Sequence, residues 1–258
     1  MEVTAMPIKE YAQNLLLSYV AQNYAMHVEE AANTGMPYDE FLDSLLMREV
    51  ECRHENRLKK RMAAARFPYK KYLVDFDKKI YGKKAEQLIS SFMTLGFMAN
   101  GENIILIGNP GVGKSHLAIA LGIEACMRDK RVLFAKIPNL VTETREAMSA
   151  NQLAAYRRKF EKYDLVILDE LGYVSFDKDG NELLFNLLSN RNDTGSIIIT
   201  TNLVFERWDE VFKDPIMTGA LVDRLAHKSY VVDMSRESYR VKETKEWLEK
   251  NVDRFSAG

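Results

Sequence analysis

The stretch Ile104–His116, IILIGNPGVGKSH, decides how the rest of the chain is read. An apolar run ends in three glycines, a proline, a lysine and a hydroxyl, a composition poor for both helix and sheet. Gly108-Asn109-Pro110-Gly111-Val112-Gly113-Lys114-Ser115 satisfies all eight positions of G-x-x-x-x-G-K-[ST]. It lies between an expected strand and an expected helix, the context the motif requires. Glycines let backbone N–H groups turn inward around phosphate oxygens, and a helix N-terminus adds partial positive charge. Lys114 then reaches β- and γ-phosphates, Ser115 holds Mg²⁺, and His116 follows in the first helical turn. ATP with Mg²⁺ is the expected ligand.

Two further strand ends complete a site. Leu165–Glu170, LVILDE, is an apolar strand ending in paired carboxylates. Buried charge needs a partner, so Asp169 is read as a Mg²⁺ ligand and Glu170 as the group that polarises an attacking water. Ile197–Asn202, IIITTN, ends in groups able to sense a γ-phosphate, either Thr201 or Asn202. For these to face Glu170, this strand must lie between the phosphate-loop strand and the acid-pair strand. That requirement predicts the order 5-1-4-3-2. Asp169-Glu170-Leu171-Gly172 also fits the D-x-x-G of GTPases, but no N-K-x-D guanine-reading element occurs in the chain.

Outward from the site, the chain falls into two parts. From Asn103 onward, β-branched runs (104–107, 132–137, 165–168, 197–201, 230–232) alternate with helical segments such as 114–128, 181–190 and 215–228. That alternation predicts a parallel sheet covered on both faces. Residues 1–66 carry almost no β pattern. Apolar spacing predicts a helical run over 7–33, interrupted near Ser18, and another over 38–66. Gly35-Met36-Pro37 separates them and Phe67-Pro68 ends the second. The division is therefore 1–66 helical domain, 67–102 linker, 103–258 nucleotide-binding domain.

The chain has 258 residues and net charge −1. Two distant cysteines and four scattered histidines predict neither a disulfide nor a side-chain metal cluster. No apolar run approaches a membrane span and no signal-peptide pattern opens the chain, so a cytoplasmic protein is expected. The small net charge hides a reversal of sign. Residues 1–52 hold nine acids against Lys9 and Arg48, whereas residues 53–71 hold eight bases against Glu55. Arg53, Arg57, Lys59, Lys60 and Arg61 are candidate contacts to DNA phosphates. A second cluster, Arg157-Arg158-Lys159 with Lys162, faces either water or an oligomer channel. On spacing alone, Arg224 is a surface arginine paired to Asp223 or Glu210.

GNPGVGKSHLA, LVILDELG, IITTN and DRLAH, in this order, resemble the DnaC/IstB branch of AAA+ ATPases. Ala65–Asp77, ARFPYKKYLVDFD, is similar to the linker of IstB proteins, the helper ATPases of insertion-sequence transposases, as is Glu237-Ser238-Tyr239-Arg240. The resemblance implies an AAA+ domain and an ATP-dependent homo-oligomer that binds double-stranded DNA and assists its cognate transposase in target selection. It also implies that Lys114, Glu170 and Thr201 or Asn202 serve hydrolysis, that Arg224 is the arginine finger acting on a neighbouring protomer, and that Phe67–Tyr72 approaches the adenine. Only 56 residues follow Asn202, so the lid is reduced or absent. That leaves a second sensor arginine, Arg236 or Arg240, in question. Two other functions share parts of this pattern. A DnaC-like replicative helicase loader shares every ATPase motif. A small-molecule kinase leaves Glu170, Arg224 and the basic segment without a role.

Overall fold

The computed structural model describes residues 7–173, 175–189, 191 and 195–236. The chain divides into two compact units at Lys60/Arg61.

The first unit is helical: α1 (Ile8–Asn14), α2 (Ser18–Thr34) and the first part of α3 (Tyr38–Ala65). The break between α1 and α2 falls beside Ser18, as the apolar spacing predicts. Gly35 closes α2 at φ 63°, a left-handed position that favours glycine. The core is small: Ala12, Val20, Ala21 and Leu45, with Leu17, Tyr19, Tyr24 and Phe41 packed around them. Beside it Glu49 is buried. Its carboxylate accepts from the backbone N–H groups of Tyr19 (2.8 Å) and Val20 (3.1 Å), which α2 would otherwise leave without acceptors. Arg53 Nε also donates to it at 2.7 Å. Burial alone raises this carboxyl's pKa, but the bonds from Arg53, Val20 and Tyr19 outweigh it and hold the group below its ordinary range.

The second unit is α/β. After 3₁₀ turns at Leu73–Asp75 and Lys78–Tyr81 come α4 (Lys83–Phe92) and α5 (Gly96–Ala99). Then follow β1 (Asn103–Ile107), α6 (Lys114–Met127), β2 (Val132–Lys136), α7 (Ile137–Ser149), α8 (Leu153–Glu161), β3 (Leu165–Leu171) and α9 (Lys178–Ser189). The last described elements are β4 (Ser196–Thr201), α10 (Asp209–Phe212), α11 (Pro215–Ala226) and β5 (Ser229–Asp233). All strands pair in parallel in the order β2-β3-β4-β1-β5, the predicted order. Ile104, Ile105, Leu106, Val166, Ile167, Leu168 and Ile198 are buried, because helices cover both faces of the sheet. α6 is buried nearly all round. The register places Ile107 opposite Thr201 and Lys136 opposite Asp169, so four loops meet at one end of the sheet. The question of a lid falls on residues outside those described, as does Arg240.

Arg191 is fully buried. It donates to the carbonyls of Phe160 (2.9 Å) and Tyr163 (2.8 Å) and stacks over the Phe160 ring. It thus closes the C-terminal end of α8, and burial lowers its pKa to about 10. Replacing Arg191 with Ala leaves those carbonyls without this donor. We expect a loss of roughly 3 kcal/mol, a fall of about 6–12 °C in Tm by calorimetry. An unchanged Tm would contradict this role.

Candidate active site

The loop between β1 and α6 is held at both ends. Gly108 N–H donates to the Thr201 carbonyl at 3.2 Å, tying the loop to β4. At the other end, Gly113 has φ 101°, and a Cβ there would lie 2.6 Å from Tyr81 Oη. Glycine is required on both counts. Tyr81 Oη donates to the Val112 carbonyl at 2.6 Å, and Val112 is buried under the loop. Asn109 and Pro110 form the exposed tip, with Gly111 behind them at φ 80°. Lys114 is 7% exposed. Its ammonium folds back across the loop and donates to the carbonyls of Gly108 (2.7 Å) and Asn109 (2.9 Å). The cation is thus held across the loop that would surround phosphate oxygens.

Asp169 is the hub on the facing strand. It is buried, and one oxygen, Oδ1, accepts from Ser115 Oγ at 2.7 Å and Thr200 Oγ1 at 2.5 Å. A serine hydroxyl beside a carboxylate at the mouth of a phosphate loop is a hard-oxygen donor set that fits Mg²⁺. Glu170 points elsewhere. β3 shifts register between Leu168 and Leu171, and Glu170 takes φ 66°. Its N–H donates to Thr200 Oγ1 at 3.1 Å, and its carboxylate pairs with Lys136 Nζ at 2.9 Å. That hydrogen bond raises the Lys136 pKa against the effect of burial.

Thr200 links both acids and was missed by the sequence reading, which named its neighbours. Thr201 Oγ1 is occupied in its own turn, accepting from Leu203 N–H at 3.0 Å. Asn202 differs: among the described residues its buried Oδ1 has no hydrogen-bond partner. A Cβ on Gly172 would come within 2.7 Å of that oxygen, so Asn202 lies against the turn that follows the acid pair.

An aromatic group also sits beside the loop. Phe76 stacks on Tyr81 (5.5 Å, 7°) and meets His116 edge-on at 5.2 Å, while Arg236 lies over the Tyr81 ring. Burial, with Lys71 second, lowers the His116 pKa, partly offset by a hydrogen bond with the Tyr72 backbone and by Asp75. Its Nε2 is buried with no hydrogen-bond partner among the described residues. Phe67 packs against Gly122, two turns along α6, and Phe134.

The remaining candidates make contacts of their own. Arg224 is exposed, its guanidinium 4.9 Å over the Phe185 ring. Arg53 is committed to Glu49 and to the Leu16 carbonyl, and Arg61 to Asp129. Lys59 stands 3.9 Å from Glu55. Arg57 and Lys60 are exposed and make no ion pair among the described residues. On α8 and just beyond, Arg158, Lys159 and Lys162 are exposed.

A family model described as IstB-like ATP binding protein matches residues 10–247. The ATP-binding protein of insertion sequence IS232 from Bacillus thuringiensis subsp. berliner is 34% identical over 229 residues, covering 89% of this chain and 92% of that protein. That of insertion sequence IS21 from Pseudomonas aeruginosa is 35% identical over 229 residues, covering 89% of this chain and 86% of its own length. Among solved structures, AMPPCP-bound DnaA from Aquifex aeolicus superposes with a TM-score of 0.55 at 19% identity, covering 69% of this chain and 54% of DnaA. At that identity the likeness is one of fold. No described helix is long and apolar enough to cross a membrane.

Proposed function

The chain belongs to the IstB-like ATP-binding proteins, and on that premise we propose that it is a Mg²⁺-dependent ATPase that assembles on double-stranded DNA and assists a transposase. The observation that carries the chemistry is Asp169 accepting from Ser115 while Lys114 spans the phosphate loop. Lys114 would exchange its two carbonyl acceptors for β- and γ-phosphate oxygens. Ser115 and Asp169 would hold Mg²⁺, which when bound neutralises phosphate charge. Glu170 would accept a proton from the attacking water, after its carboxylate leaves Lys136. We assign γ-phosphate sensing to Asn202 rather than to Thr201: its amide N–H groups would donate to a phosphate oxygen, and its buried Oδ1, without a partner among the described residues, would accept from the attacking water. Thr200 positions both acids. The insertion-sequence relatives, at 34–35% identity, favour the transposition helper over a helicase loader. Cosedimentation with the cognate transposase beside the replicative helicase separates the two readings.

Arg224 tests whether the site is shared between protomers. Arginine fingers contribute about 10³–10⁵ in turnover, so Arg224→Ala should bind ATP normally and hydrolyse at least ~10³-fold more slowly. Mixed with Lys114→Ala, whose Arg224 is intact, activity should partly return. No recovery in verified mixed assemblies would count against action in trans.

A further inference from the structure

Residues 70–84 carry six lysines as three adjacent pairs, Lys70-Lys71, Lys78-Lys79 and Lys83-Lys84, against only Asp75 and Asp77. All but Lys78 are exposed. None makes an ion pair among the described residues. Asp77 caps the second 3₁₀ turn, its carboxylate accepting from the Lys79 backbone N–H at 3.1 Å. Lys83 and Lys84 are the first two residues of α4, where the helix dipole disfavours cations, and Glu86 in the same turn makes no ion pair with either among the described residues. Local stability does not account for these charges in these places. The segment is also anchored, through Tyr81 to the Val112 carbonyl and through Phe76 to His116. Tyr69 and Tyr72, exposed at 45% and 38%, flank the first lysine pair.

We propose that Tyr69–Lys84 is a nucleic-acid-binding strap whose lysine pairs contact the phosphodiester backbone of duplex DNA. The proposal rests on the reading that the protein binds DNA, and it moves the main contact away from Arg53–Arg61. Two guanidiniums of that stretch, Arg53 and Arg61, are already committed within the fold. Lysine is a point charge suited to phosphates rather than to base edges, so the strap holds DNA without reading sequence. A lipid surface fits less well. Val74 and Ile80 are exposed singly on 3₁₀ turns of three and four residues, and the apolar face of α4 is buried in the fold.

The test is fluorescence anisotropy of a labelled random-sequence duplex with a non-hydrolysable ATP analogue, across a salt series. Anionic vesicle flotation and ATP-analogue affinity are measured alongside. Replacing Lys78, Lys79, Lys83 and Lys84 together with Gln should weaken DNA binding at least ~10-fold and flatten the log–log salt slope by up to about 3 to 4 per protomer. Affinity for the ATP analogue should stay within about twofold, since none of these lysines belongs to the nucleotide site. Lys83→Gln with Lys84→Gln serves as a variant safe for folding. Relieving charge against the α4 dipole should leave Tm unchanged or higher, while the salt slope falls by up to about 2. Wild-type DNA affinity and slope in both variants, with the loss appearing instead in Arg57→Gln/Lys60→Gln, overturn the strap but leave the DNA-binding reading standing. Wild-type protein that binds no duplex at any salt, or binds only vesicles, overturns both.

Discussion

Lys114→Ala should bind an ATP analogue roughly 10²-fold more weakly than the parent, the loss expected for one charge-assisted contact of about 2.7 kcal/mol. Lys114 is buried and bridges the carbonyls of Gly108 and Asn109, so its ammonium is already positioned where phosphates would sit. The variant removes that charge and also two hydrogen bonds that shape the loop. Lys114→Met loses both as well but keeps the aliphatic stem within α6, so it separates them from lost packing. Both variants should lose nucleotide affinity, and the methionine variant should retain more of its Tm. Fluorescent-nucleotide titration reads the first quantity and calorimetry the second. Near-parental affinity in either variant would remove the phosphate loop from the proposed mechanism.

Glu170→Gln should separate binding from turnover. A positioned general base contributes about 10²–10⁴ in rate, and the amide keeps the shape without the basicity. ATP affinity should hold while steady-state hydrolysis falls by that factor. Stability should change little, because the pair with Lys136 is solvent-accessible on both sides, and such pairs contribute ~0–1 kcal/mol. A parental rate of phosphate release would mean that another group polarises the water.

The sheet was legible because its strands are continuous apolar runs and its order follows from a chemical demand. Thr201 or Asn202 could face the acid pair only if β4 lay between β1 and β3, and it does. Which threonine touches Asp169 was not legible. The choice between Thr200 and Thr201 depends on strand register, and the irregularity between Leu168 and Leu171 is invisible in composition. The basic run read as one surface for a related reason. The partners of Arg53 and Arg61, the Leu16 carbonyl and Asp129, are distant in sequence, and only the fold brings them within reach. Arg191 carried no pattern at all, since its burial against α8 depends on three separate segments. The helix pair α7–α8 was likewise not delimited, because each helix spans few turns and their joining residues carry no glycine or proline.

The register shift in β3 also bears on how the length of this chain can change. Asp169 reaches Ser115 and Thr200, while the adjacent Glu170 reaches Lys136, because the backbone turns left-handed between them. Deleting or inserting one residue between Leu165 and Gly172 would exchange those two destinations and displace Gly172 from Asn202. The turn at Asn151–Gln152, exposed and joining α7 to α8, has no such neighbours to misalign. Insertions and deletions therefore have room between the two helices and none at the acid-bearing strand, although fewer than twenty residues separate them.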